Sequence, residues 1–135
     1  MRFDLHIHTC LSPCADLEMA PRAIARAAAA AGLGGIAIAD HNSARNAPAL
    51  RAACAEAALP CLFAIEVTTA EEAHVLTLFD TPEQAAAMTE TVYAALPKRV
   101  NQPEVFGDQP VVDVDEGIEE LEWRLLAAPT RLALR

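Results

Sequence analysis

With 135 residues the chain is long enough for one domain with a real core, and at 53% hydrophobic it folds rather than staying disordered. Alanine supplies much of that fraction and aromatics only 4%, so the core is expected to be small side chains around a few Leu, Ile and Val. A formal net charge of −9 argues against a nucleic-acid surface, which needs basic patches, but not against a small phosphate ester, because bound divalent cations reverse the local field.

Taken in chain order, Phe3, Leu5 and Ile7 alternate with Asp4, His6 and His8, the period of a strand with its polar residues on one face. Pro21 to Ala31 is an alanine-rich helix with Pro in its first turn and Gly32 as its stop. Gly35 to Ala39 is a short apolar strand running into Asp40 and His41. A helix follows from Ala47 to Ala58, capped by Asn46, with Pro48 in its first turn. Cys61 to Val67 is a strand carrying Glu66, and Ala73 to Phe79 another carrying His74. Thr81 to Gln84 spells a capping box for a helix to Leu96, with Ala85, Met88, Val92 and Leu96 as its buried stripe.

Beyond Leu96 the pattern weakens. Pro97 to Pro110 is loop-like, with three prolines and one glycine. Val111 to Leu121 suggests a hairpin turning at Asp115, Glu116 and Gly117. Leu125 to Ala128 reads as a strand, and Thr130 as the cap of a short terminal helix. Glu104 to Glu122 holds eight carboxylates and no Lys or Arg, which reads as a solvated face. Lys98 and Arg99 read as solvated, and Trp123 as core or as surface bared by a truncation. The expected organisation is one domain over 1–135, with a βαβαββα core over 1–96 and a loop and hairpin extension over 97–135.

Strand, helix, strand, helix, strand is an α/β pattern with parallel pairing, in which function gathers at the C-terminal strand ends. His8, Asp40, His41 and Glu66 lie at or near such ends. A tight hairpin through Thr68 to Glu72, with an antiparallel fourth strand, brings His74 back beside Glu66. These positions account for all four histidines of the chain. Imidazole and carboxylate are the usual ligands of zinc, manganese and iron. His6 and His8, two apart on a strand, can grip one ion, and Glu66 has two oxygens with which to bridge two. Asp4 and Asp40 are candidates to orient imidazoles from behind. On the residues alone this is a metal site of unspecified purpose.

DLHIHT at 4–9, ADHN at 39–42, IEVTT at 65–69 and EAHVL at 72–76 resemble the first motifs of the PHP (polymerase and histidinol phosphatase) family. LSPCAD at 11–16 and HNSARN at 41–46 are similar to its small-phosphoesterase branch. The resemblance implies a metal-dependent phosphoesterase on a distorted (β/α)7 TIM-like barrel, present here as an incomplete N-terminal half. It implies two or three divalent ions (Zn, Mn or Fe) and attack on phosphorus by a metal-bound hydroxide. His6 and His8 would hold the first ion, Glu66 would bridge to a second also held by His74, and His41 would serve a third. Where the family places a His or Asp after the HxH, this chain has Pro13 and Cys14, so Cys14 as a thiolate or Asp16 is the candidate third ligand. Asp40 and Arg45 are the catalytic candidates, and Asn42 and Arg45 the candidates for holding a substrate phosphate.

The family's later histidine and terminal DxH are absent. The expectation is therefore a fragment, a truncated product, or a half-barrel completed by a homodimer mate or a partner chain. The expected substrate is a small phosphomonoester or nucleotide. The rival readings are a non-catalytic metal-binding half-barrel, an interaction subunit, and a nuclease on oligonucleotide ends, the last disfavoured by charge. No secretory signal or membrane span is legible at positions 1–135, so the cytoplasm is the expected location.

Overall fold

The computed structural model describes residues 1–135. Strands β1 (Phe3–Ile7), β2 (Gly35–His41), β3 (Cys61–Thr68) and β4 (His74–Phe79) form one sheet in that order. β1, β2 and β3 run parallel, joined by helices α1 (Pro21–Ala30) and α2 (Ala47–Glu56). β4 returns antiparallel to β3, pairing His74 with Thr68 and Leu76 with Glu66, as the hairpin expectation required. Helix α3 (Pro82–Ala95) follows. The sheet is half of a TIM-like barrel, with the helices on its outer side.

Each helix starts and stops for a local reason. Pro21 occupies the first turn of α1, where its missing N–H costs nothing, and Gly32 takes φ +69° just past its end. Thr81 and Gln84 form the full reciprocal capping box of α3. Asn46, expected to cap α2, makes no capping bond. Its amide instead donates to Thr9 Oγ1 at 2.9 Å and accepts from the Val112 backbone N–H at 2.9 Å. That work ties the first loop to a later strand, and a cap cannot do both.

The core lies between sheet and helices. Ile36, Ile38, Phe63, Ile65 and Val67 meet Ile24 and Ala28 of α1, Leu50 and Ala53 of α2, and Ala85 and Val92 of α3. Burying each Val, Leu, Ile or Phe side chain among these contributes about 1.5–3 kcal/mol. Met88 is only half-buried against this core. On the opposite face of the sheet β2 and β3 carry Ala37, Ala39, Leu62 and Ala64. The flanking strands leave Phe3, Leu5, Leu76 and Leu78 exposed.

Strict alternation along β1 fails at one point. Asp4 pairs with Ile36 and Ile7 with Ile38, three steps on β1 against two on β2, so the register shifts at a bulge. Both isoleucines face the helices, which places Asp4 and Ile7 on that side as well. Asp4 therefore does not share a face with His6 and His8, and its carboxylate accepts the His6 backbone N–H at 3.2 Å rather than an imidazole.

Residues 97–135 form a clamp of short pieces. A four-residue helix, α4 (Pro103–Phe106), precedes the hairpin of β5 (Pro110–Val112) and β6 (Ile118–Leu121). Its turn lies where the sequence placed it: Asp113 Oδ1 accepts the backbone N–H groups of Asp115 and Gly117. Leu125 to Ala128 is not a strand, since only Arg124 forms a bridge there, with Val100. Thr130 starts no helix; its N–H and hydroxyl both donate to the Thr68 carbonyl. Leu126 and Ala128 pack with Leu11, Leu96 and Val111 in a second small core. Lys98 and Arg99 are exposed, as expected. Trp123 is 49% exposed and packs on the Arg124 guanidinium.

Candidate metal centre

Register alone brings the ligands together. His41 ends β2 directly opposite Glu66 of β3, and His74 opens β4 two residues diagonally from Glu66. The β1 bulge turns His6 and His8 toward the same carboxylate. Glu66 Oε2 lies 3.2 Å from His6 Nε2, 3.2 Å from His8 Nε2 and 3.4 Å from His41 Nδ1, while Oε1 lies 3.0 Å from His74 Nδ1. The rings of His8 and His41 stack with centroids 4.6 Å apart.

These separations fit shared cations. Two donors each about 2.1 Å from one ion at tetrahedral angles sit roughly 3.4 Å apart. Glu66 Oε2 and His41 Nδ1 are also buried without any hydrogen-bond partner. A buried polar atom left bare costs about 1–3 kcal/mol, which a coordinated cation removes. Three donor sets are close enough to hold an ion: His6, His8 and Glu66; His41, Glu66 and His74; and His8, Cys14 and His41.

The protonation states suit the same role. Burial, with the neighbouring imidazoles, pulls His8 and His41 below the ordinary histidine value, so both present lone pairs at neutral pH. Burial opposes ionisation of Glu66, yet the surrounding imidazoles outweigh it and hold the carboxyl below its usual value.

Behind the ligands stands a polar relay. Asp40 is buried and accepts the Thr9 N–H, the Thr9 hydroxyl and the Ser12 hydroxyl, each at 2.7 Å. Burial pushes its carboxyl up to about 6 against the pull of those donors. Ser12 Oγ in turn meets His8 Nδ1 at 3.2 Å and accepts the His41 backbone N–H at 3.1 Å. Asp40 thus acts on the imidazoles through Ser12; the direct hold on the His41 ring expected from the sequence is not made. The sequence does not single out Thr9 and Ser12; hydroxyls one and four residues past the HxH are the only signal it carries.

Two expectations are corrected by the packing. Asn42 is fully buried, and its amide donates to the carbonyls of Leu126 and Ala128 while accepting the Thr68 N–H. No polar atom of that amide is left over for a phosphate. Arg45 turns away to Glu120 and Glu122, at 2.6 and 3.2 Å, and lines a separate groove of about 450 Å³ with Tyr93, Trp123 and Arg124. That groove contains none of the candidate ligands. Glu122 itself is buried, against the expectation of a solvated acidic face, because Arg45, Arg124 and Tyr93 all engage it. Asp16 stands outside the three donor sets, on the rim of a cleft of about 490 Å³ that also holds His6, His8 and Cys14.

The model of the PHP domain family matches residues 4–129. The chain belongs to the PHP family. A solved structure from Bifidobacterium adolescentis, provisionally named a metal-dependent phosphoesterase, is 31% identical to this PHP domain, with a TM-score of 0.54. The alignment covers 70% of this chain and 34% of the other, so this PHP domain spans about a third of that protein's length. No curated protein matches. All three donor sets lie within the residues that the PHP family model matches. No helix is long and apolar enough to cross a membrane.

Proposed function

We propose that this PHP domain is a metal-dependent phosphatase that hydrolyses a small phosphomonoester or nucleotide. The observation that carries the reading is the Glu66 carboxylate, with one oxygen aimed at His6, His8 and His41 and the other at His74. His6 and His8 with Oε2 would hold one ion, and His74 with Oε1 a second, so Glu66 bridges. Such ions lower the pKa of bound water and neutralise the charge of a phosphate.

The protein's own residues do the rest. Ser12 fixes the His8 tautomer: with Nδ1–H donated to its hydroxyl, the Nε2 lone pair points to Glu66 Oε2. The chain's net charge of −9 would repel a phosphate dianion, and Arg45 is already neutralised by two glutamates. Attraction for substrate therefore depends on the loaded centre rather than on a fixed arginine. The same charge disfavours the nuclease alternative.

The test is turnover of an aryl phosphate monoester with manganese or zinc added to metal-free protein, beside Glu66→Gln. Metal-dependent turnover lost in Glu66→Gln supports the reading; metal bound tightly with no turnover sinks it.

A second reading has its own observation. The inner face of the sheet is uncovered, with Phe3, Leu5, Leu76 and Leu78 exposed, and the His6 and His74 side chains are about half exposed at 47% and 50%. A half-barrel of this kind would act as a metal-binding interaction subunit, completed by a second copy or a partner chain that covers this face. Light scattering separates the cases: a stable, inactive monomer with metal bound contradicts a second copy as the missing cover.

A further inference from the structure

We propose that Cys14 and His41, with His8 at their border, form a thiolate metal position that gives this centre a preference for thiophilic ions. The inference rests on the metal-centre reading above and concerns which cation the centre selects.

His41 faces two ways. Its Nδ1 lies 3.4 Å from Glu66 Oε2, and its Nε2 lies 3.5 Å from Cys14 Sγ. A neutral imidazole has one lone pair, so His41 serves one of these neighbours as a ligand and not both. His8 has no such choice, because its Nδ1 is engaged by Ser12 and its Nε2 lies 3.2 Å from Glu66 Oε2. If His41 is counted toward Cys14, the Glu66 cluster keeps His6, His8 and His74 and still has a nitrogen for each carboxylate oxygen. The Cys14 position then has two protein donors, Sγ and His41 Nε2, without robbing the bridged pair.

The loop that presents the sulfur is built rather than loose. The Ser12 N–H bonds to the Thr9 carbonyl, the Ala15 N–H to the Ser12 carbonyl, and the Cys10 N–H to the Met19 carbonyl. Thr9 and Ser12 are in turn anchored on Asp40. No other thiol reaches the cluster. Cys10 and Cys54 are buried elsewhere, and Cys61 opens β3 at the far end from Glu66. Cys14 is exposed and stands among the imidazoles.

The two positions differ in chemistry. The Glu66 cluster offers carboxylate oxygen and imidazole nitrogen, which zinc, manganese and iron all accept. A thiolate favours zinc, cobalt or cadmium over manganese and magnesium. Selectivity in this chain would then reside at Cys14.

The test is spectroscopic. Metal-free full chain is titrated with cobalt(II), and the near-ultraviolet thiolate-to-cobalt charge-transfer band is recorded for wild type, Cys14→Ser and Glu66→Gln. The expected result is a band in wild type and in Glu66→Gln that vanishes in Cys14→Ser, which still binds cobalt at the Glu66 cluster. Cadmium affinity at that position should fall in Cys14→Ser by more than the roughly 10- to 100-fold that loss of an outer-shell partner costs. Cobalt-loaded wild type without the band, or a band that survives in Cys14→Ser, overturns this proposal and leaves the Glu66 centre standing. Failure of wild type to bind cobalt at all overturns both.

Discussion

The Ser12 hydroxyl donates to the buried Asp40 carboxylate at 2.7 Å, which leaves both of its lone pairs to accept from His8 and from the His41 backbone. One donor and two acceptors are the full capacity of a hydroxyl, and all are used. Ser12 is thus the joint through which a buried charge orients two candidate ligands at once.

Ser12→Ala should keep the fold and loosen the ligands. Metal affinity is expected to fall about 10- to 100-fold, the usual cost of losing an outer-shell partner. Calorimetric titration of zinc or manganese into the metal-free variant reads this, with circular dichroism as the check on folding. Unchanged affinity contradicts the relay.

Glu66→Gln should separate metal binding from stability. In wild type, saturating metal should raise the melting temperature, because a ligand that binds only the folded state stabilises it by mass action. With manganese, which a thiolate position disfavours, that rise is expected to shrink to near zero in Glu66→Gln, since a neutral amide cannot bridge two cations. A melting curve with and without metal decides it.

Asn42→Ala should be a stability mutant rather than a substrate-affinity mutant. It removes three hydrogen bonds at a fully buried position and puts alanine at φ +53°. With about 1 kcal/mol per bond, and more where a group is left bare, a loss of about 3 kcal/mol or more is expected in urea unfolding. A fully stable variant with weakened substrate binding contradicts the structural role.

Glu122 should mark the acid limb of stability. Burial alone would raise its carboxyl, but the Arg124 backbone and side chain and the Tyr93 hydroxyl outweigh that and hold it below its ordinary value. A group lowered in this way stabilises the fold above its unfolded pKa, near 4.3, and loses that contribution as pH falls through the lower folded value. Glu122→Gln should therefore flatten the decline of the urea midpoint below about pH 4.5. An unchanged acid limb would place the acid sensitivity elsewhere.

The sheet and the clustering of the candidate donors were legible because both are periodic or local. Apolar strand runs, prolines at helix starts, Gly32 and the Thr81 box all act within a few residues. His41 and Glu66 became neighbours once the strands were put in order. What the sequence hid depends on distant partners. The β1 bulge is visible only against the register of Ile36 and Ile38, so Asp4 was placed on the wrong face. Asn42 and Arg45 looked free, and Asn46 looked like a cap, because their partners lie 26 to 86 residues away, at Thr68, Leu126 and Ala128, at Glu120 and Glu122, and at Thr9, Pro110 and Val112. A polar side chain reads the same in sequence whether it faces water or a remote carbonyl.

The grip of Asn42 on Leu126 and Ala128 carries a consequence for synthesis. The strands that bear His6, His41, Glu66 and His74 leave the ribosome long before residue 128 does, and until then the turn after His41 lacks two of its anchors. A nascent chain stalled near residue 100 should hold its imidazoles in a loosened turn and capture cations poorly. Maturation of the centre would thereby be timed to the arrival of a segment that contributes none of its candidate donors.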